Sequence, residues 1–238
     1  PKPSSAASDV YKRQAIFERT IFNPRKIFCI GVNYGGRGAE YSDPTSPNKP
    51  SVFVRFPSSL TGHNQSLIRP PESSQLDYEG EIVAIIGKGG RRIAQSRAKE
   101  HIWCLSLGNE GTIRDWLRHA KFNVTQGKNW ERSGSMGPWM VTIDEFGDFE
   151  NLRLHTRVNG ELRQSDLVSS MAFPIEFQVA YLSTFIALEP GDVIFTGTPT
   201  GAGARLDPPQ WLKPGDVVEV TVQEIGTLTN TIQDEDIS

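Results

Sequence analysis

The stretch Leu76-Asp77-Tyr78-Glu79-Gly80-Glu81-Ile82-Val83-Ala84-Ile85-Ile86-Gly87 runs an acidic cluster straight into five consecutive apolar residues. In a strand the side chains alternate, so Glu79 and Glu81 fall on one face. A short apolar run closed by glycine reads as a strand buried on both faces. Two carboxylates at the mouth of such a strand repel each other unless a proton or a cation lies between them. The stretch therefore points to a metal, and asks whether the chain supplies a third ligand.

The composition sets the bounds around this strand. The 238 residues suffice for one large domain with a small appendage. A net charge of −3 gives no electrostatic case for nucleic acid or an anionic membrane. No apolar run approaches the ~20 residues that cross a bilayer, and no apolar segment of a signal peptide opens the chain. The two cysteines, Cys29 and Cys104, sit in apolar surroundings and are expected to be buried free thiols, which implies a cytoplasmic setting. Twenty-two glycines and sixteen prolines favour many turns and a β-rich fold.

Outward from the acidic strand, residues 1–14 are small, polar and aperiodic, and are set aside as a disordered or non-native segment. Residues 15–238 are expected to form a single domain, since no linker divides them. Strands are expected at Ile27–Val32, Ser51–Phe56, Trp103–Leu107 and after Gly226, with a short surface helix within Arg91–His101. Asn159-Gly160, between Leu152–Val158 and Glu161–Gln164, is the clearest hairpin signal. Glu189-Pro190-Gly191-Asp192 and Lys213-Pro214-Gly215-Asp216 are twin tight turns, each leading into a strand. Ile175–Leu188 carries Phe177, Tyr181, Leu182, Phe185 and Ile186 at helical spacing.

Glu110 stands just past the strand that ends at Gly108, where functional groups are often displayed. Glu79, Glu81 and Glu110 around a hard dication, with water completing an octahedron, would suit Mg²⁺ or Mn²⁺. The bland reading of the same residues is a set of solvated strand ends. A zinc site has no support, because His63, His101, His119 and His155 are scattered and lack a cysteine partner. A serine triad has no nucleophile elbow. Lys128, after Gly127, reads either as a solvated lysine or as a group that stabilises an enolate or holds a carboxylate. Thr196-Gly197-Thr198-Pro199 reads either as a strand-ending turn or as hydroxyl and N–H donors for an anionic group.

Nine segments in order carry a resemblance that covers the chain from about Lys26 to Asn230. They are Ile30–Tyr34, Leu76–Glu81, Gly108–Glu110 with Arg114-Asp115, Gly127-Lys128, Gly137–Trp139, Arg157–Glu161, Leu188–Asp192, Thr196–Pro199 and Lys213–Asp216. The set resembles the fumarylacetoacetate hydrolase superfamily in its bacterial catabolic branch. The resemblance implies an α+β, β-rich fold, a mixed β-sandwich roll with a few short helices, usually assembled as a homodimer. It implies Mg²⁺ or Mn²⁺ held by Glu79, Glu81 and Glu110, the last at a position usually occupied by Asp. It implies a small-molecule 2-oxo acid substrate, with Lys128 helping to stabilise the enolate. Gly197 and Thr198 match residues at the substrate carboxylate, and Arg114 matches an arginine near the site.

Hydrolytic members carry a His and a Glu on the loop after the Asn-Tyr pair as a water-activating dyad. Glu40 matches the Glu, while Arg37 occupies the His position, and a guanidinium is effectively always protonated. Arg37 would instead suit the distal carboxylate of a dicarboxylic substrate. Leu117 stands where some relatives place a Gln. The expectation is a metal-dependent enzyme of aromatic catabolism that cleaves a C–C bond in an acylpyruvate-like or fumarylpyruvate-like acid. Isomerisation of a 2-hydroxy-dienedioate and decarboxylation of an oxaloacetate-like acid are alternatives that need the same enolate but no activated water. A catalytically inactive metal-binding relative is a further alternative.

Overall fold

The computed structural model describes residues 16–36, 48–120 and 124–237. The 1–14 segment, Arg37 and Glu40 lie outside the described residues.

Strand β6 (Gly80–Ile86) is buried at every position. Its alternate side chains enter two different cores. Ile82, Ala84 and Ile86 join one apolar cluster. Val83 and Ile85 join another with Ile27, Cys29, Met136 and Phe195. Burial on both faces is why the sequence shows an unbroken apolar run here rather than alternation.

Around β6 a seven-stranded sheet runs β2 (Ser51–Val54), β1 (Ile27–Gly31), β12 (Val193–Phe195), β6, β7 (Ile102–Asn109), β9 (Gly134–Thr142) and β3 (Leu60–Thr61). The β1–β12 and β3–β9 pairs are parallel and the others antiparallel. A five-stranded sheet runs β11 (Glu161–Leu167), β10 (Arg153–Val158), β13 (Val217–Val222), β14 (Gly226–Asp234) and β4 (Leu67–Arg69). The sheets stack with β10 against β6, β13 against β7 and β14 against β9. Leu154, Val220 and Leu228 of the second sheet meet Ile82, Leu105 and Leu107 of the first in the core between them. A small ladder joins β5 (Leu76–Asp77) to β8 (Thr112–Ile113). The described α-helices are α1 (Val124–Lys128) and α2 (Ile175–Phe185). This is the β-rich sandwich roll with few helices that the resemblance implies.

The local turn rules hold. Asn159 and Gly160 both have positive φ, 51° and 81°, as the tight hairpin between β10 and β11 requires. In the twin turns Asp192 Oδ2 accepts from Glu189 N–H and Asp216 Oδ2 from Lys213 N–H, each at 2.8 Å. Cys29 and Cys104 are buried free thiols. No helix among the described residues is long and apolar enough to cross a membrane.

Two expectations change. The surface helix expected within Arg91–His101 is a 3-10 segment, Gln95–His101. Helix α2 ends at Phe185, and its buried stripe is Ile175, Gln178, Val179 and Leu182. Phe177, Tyr181 and Phe185 instead form a row of rings on the other side, with centroids 6.0 and 6.1 Å apart and Phe185 exposed. The rings satisfy one another at i, i+4 spacing, so of the apolar residues whose spacing marked this helix only Leu182 enters the core.

Candidate metal centre and active site

Strand β5 turns away to pair with β8, Leu76 opposite Ile113 and Asp77 opposite Thr112. The chain therefore breaks strand geometry at Tyr78 and Glu79 and resumes it at Gly80. Beside it, Gly80 pairs with Asn109 and Glu81 with Gly108, which brings Glu110 at the end of β7 alongside. Glu110 N–H donates to Glu79 O at 2.7 Å, and Glu79 N–H to Asn109 Oδ1 at 2.9 Å. One carboxylate oxygen from each of Glu79, Glu81 and Glu110 lies within 4.8 Å of the others. All three residues are at most 3% exposed.

Two glycines make this approach possible. A Cβ on Gly80 would lie 2.0 Å from Thr156 Oγ1 of β10, so the residue between the two glutamates admits only hydrogen. A Cβ on Gly111 would lie 1.8 Å from Ser133 O.

Lys128 is the last residue of α1, not part of a glycine turn, and is buried. Its ammonium donates to Glu79 Oε2 and lies 3.2 Å from Glu110 Oε2, 5.5 Å above the Phe53 ring. Arg114 spans two carboxylates, with Nε on Asp77 Oδ2 at 2.8 Å and Nη2 on Glu79 Oε1 at 2.7 Å. Gly197 N–H donates to Glu81 Oε2 at 2.8 Å. Thr198 Oγ1 donates to Gly80 O and accepts from Gln164 Nε2, both at 2.8 Å. The donors expected to greet an anionic ligand, Gly197 N–H and the Thr198 hydroxyl, are thus engaged by the protein itself.

Four buried carboxylates (Asp77, Glu79, Glu81, Glu110) face three buried cations (Arg55, Arg114, Lys128). Burial, with Glu110 and Glu79 adding repulsion, holds the Glu81 carboxyl well above its usual range, against the Gly197 N–H and Lys128. Burial works to lower the Lys128 pKa, but Glu110 and Glu79 outweigh it and the ammonium is held above its usual value. Glu110 Oε1 is buried without a hydrogen-bond partner. Converging hard oxygen donors, an excess of negative charge and an unsatisfied carboxylate oxygen fit a divalent cation such as Mg²⁺ or Mn²⁺.

Around the trio lies a cavity of about 200 Å³. Its other described walls include Ile30, Val32, Phe53, Leu117, Val124 and Thr198. No histidine is among the described lining residues.

Sequence reasoning gave no role to four buried braces. Asp77 accepts from Gly203 N–H at 2.8 Å and Ala204 N–H at 3.0 Å as well as from Arg114. Gln164 Oε1 accepts from Gly80 N–H at 3.0 Å. Arg55 donates to Gly111 O at 2.9 Å and Ser133 Oγ at 3.0 Å, fixing the turn that follows Glu110. Asn33 Nδ2 donates to Thr196 O at 2.7 Å. Asp77 and Asn33 sit inside motifs that the resemblance singles out. Arg55 and Gln164 carry no local signal.

Comparison with known proteins adds three likenesses. Over 211 residues the chain is 41% identical to the oxaloacetate tautomerase YisK of Bacillus subtilis (strain 168), covering 87% of this chain and 69% of that protein. It superposes on the fumarylacetoacetate hydrolase of psychrophilic Exiguobacterium antarcticum with a TM-score of 0.83 at 35% identity, covering 92% of this chain and 78% of that one. It superposes on the fumarylpyruvate hydrolase of Pseudomonas aeruginosa, solved with Mn²⁺ and pyruvate, with a TM-score of 0.81 at 29% identity, covering 90% and 91%. The sequence profile described as fumarylacetoacetate (FAA) hydrolase C-terminal matches residues 26–233, almost the whole described fold including every strand that shapes the carboxylate trio, and the chain belongs to that family.

Proposed function

We propose that this protein is a metal-dependent enzyme that moves a proton on a short 2-oxo dicarboxylic acid, interconverting the keto and enol forms of oxaloacetate or a close analogue. The observation that carries this reading is the buried Glu79/Glu81/Glu110 trio with the Lys128 ammonium beside it in a small cavity. Enolate chemistry needs that arrangement, whereas water activation by a histidine dyad has Arg37 in place of the His. The likeness to an oxaloacetate tautomerase points the same way.

Glu79, Glu81 and Glu110 would hold the dication, which when bound draws electron density from the 2-oxo group and acidifies the neighbouring carbon. Lys128, kept as an ammonium by Glu110 and Glu79, would supply the hydrogen bond or proton that the developing enolate oxygen needs. Arg114 would fix the Glu79 carboxylate through its second bond to Asp77. Gly197 and Thr198 would border the substrate and hold Glu81 and the Gly80 backbone in place. Glu40 is our candidate for the base at carbon 3, and Arg37 for the partner of the distal carboxylate. A proton leaves carbon 3 and one arrives at the 2-oxo oxygen, so no water is consumed.

C–C hydrolysis of an acylpyruvate stands as the second reading, favoured by the likeness to the fumarylpyruvate hydrolase. Following the enol absorbance of oxaloacetate with Mg²⁺ or Mn²⁺ present separates the two. Tautomerisation predicts faster approach to an unchanged keto–enol equilibrium without release of CO₂. An unaccelerated approach together with cleavage of fumarylpyruvate would reverse the order. The proposal includes a homodimer, which light scattering should report as twice the mass of the chain.

A further inference from the structure

Val32 has φ +53°. Among the described residues it is the one β-branched side chain in the left-handed region, where a branched Cβ crowds the backbone. The conformation is imposed from both sides. Gly31 ends β1 in register with Ser51. Asn33, fully buried, donates to Thr196 O at 2.7 Å and Phe173 O at 3.1 Å, and its Oδ1 accepts from Phe173 N–H at 2.7 Å. Ala172 N–H donates to Asn33 O, also at 2.7 Å. These bonds fix the turn without help from the side chain at 32. Glycine would take this φ at no steric cost, and the chain uses glycine at 31, 35 and 36.

The strained valine lines the catalytic cavity. With Ile30, Phe53, Leu117 and Val124 it supplies the apolar part of the described wall, while the carboxylates, Arg114 and Lys128 supply the polar part. We infer that Val32 is a specificity-determining residue, whose branched side chain caps the cavity and restricts it to short 2-oxo acids. The inference rests on the 2-oxo acid reading and adds a limit on chain length to it. Strain at a cavity wall is retained where the side chain's position serves the ligand.

The test measures binding, so it does not depend on which reaction follows. With saturating Mg²⁺, the affinities of pyruvate, 2-oxobutanoate, 2-oxopentanoate and 2-oxohexanoate are measured by calorimetry for the parent protein, Val32→Gly and Val32→Ala. The parent should weaken by about tenfold or more along the series. Both variants should flatten or invert it. Val32→Gly should keep its thermal midpoint within a few degrees, because it removes strain, and Val32→Ala removes bulk while keeping the strained φ. The inference fails if the three proteins rank the acids with the same ratios, including the case in which Val32→Gly only lowers the midpoint and weakens all four acids equally. If none of the three binds any 2-oxo acid, the functional reading itself is overturned and this limit falls with it.

Discussion

Arg114 shows how tightly single residues are committed around the trio. It is 7% exposed and joins Asp77, which is fully buried, to Glu79. Truncating it to Ala leaves two buried carboxylates without the cation they share, a loss of about 3–5 kcal/mol. Arg114→Lys keeps the charge but not the fork that reaches both acids, so it should fall between parent and Ala. Urea titration checks this order, and an Ala variant as stable as the parent would remove Arg114 from the frame of the site. Glu79, Glu81, Glu110 and Lys128 were legible as candidates because adjacent carboxylates before a buried strand need a countercharge wherever the chain goes. The braces were not. Asn33 bonds a residue 163 positions away, Gln164 one 84 away and Arg55 one 56 away, and no local pattern encodes such partners.

At the scale of elements, Gly80 decides how closely the two sheets approach at the site. Its missing Cβ is the space that Thr156 Oγ1 of β10 occupies. Gly80→Ala should push β6 and β10 apart beneath both Glu79 and Glu81, with a cost of about 1–3 kcal/mol from overpacking. The double variant Gly80→Ala/Thr156→Ala should recover part of that stability, since the nearest clashing atom is gone while Thr156 Cβ and Val220 Cγ1 stay 3.3 Å away. Additive losses in thermal melts of the single and double variants would show that the contact is not the cause. Single elements were readable from local rules: the unbroken apolar run for β6, Asn-Gly for the β10–β11 hairpin, Pro-Gly for the twin turns. Their pairing was not. That β6 lies between β12 and β7, and that β5 leaves it for β8, is settled by burial on both faces of the large sheet. Helix α2 was readable from its apolar spacing, but which of those residues are buried was not, because its aromatic row packs on itself and not into the core.

Over the whole molecule, the site sits on one of the two cores that β6 separates. Glu81 shares its face of β6 with Val83 and Ile85, so the trio faces the cluster on the far side of the large sheet from the second sheet. Placing like charges at the edge of an apolar core opposes folding until a cation joins them. Burial and the neighbouring Glu110 and Glu79 raise the proton affinity of Glu81, which is the same cost seen from the proton's side. Glu81→Gln keeps the shape and can still accept from Gly197 N–H while removing one charge. In metal-free protein at pH 8 it should therefore raise the stability by about 1 kcal/mol or more, which for a chain of this size lifts the melting temperature by about 2–4 °C per kcal/mol. The parent should gain further on adding Mg²⁺ or Mn²⁺, by about 2.7 kcal/mol once the metal is at a hundred times its dissociation constant, and lose that gain in EDTA. The variant should lose most of the metal response and the activity together, the usual exchange of function for stability where a site is built from repelling groups. Calorimetric melts of both proteins with metal and with EDTA read all four corners. A variant that is less stable than the parent without metal, yet responds to metal as strongly, would show that Glu81 is a structural acid and that the cation belongs elsewhere.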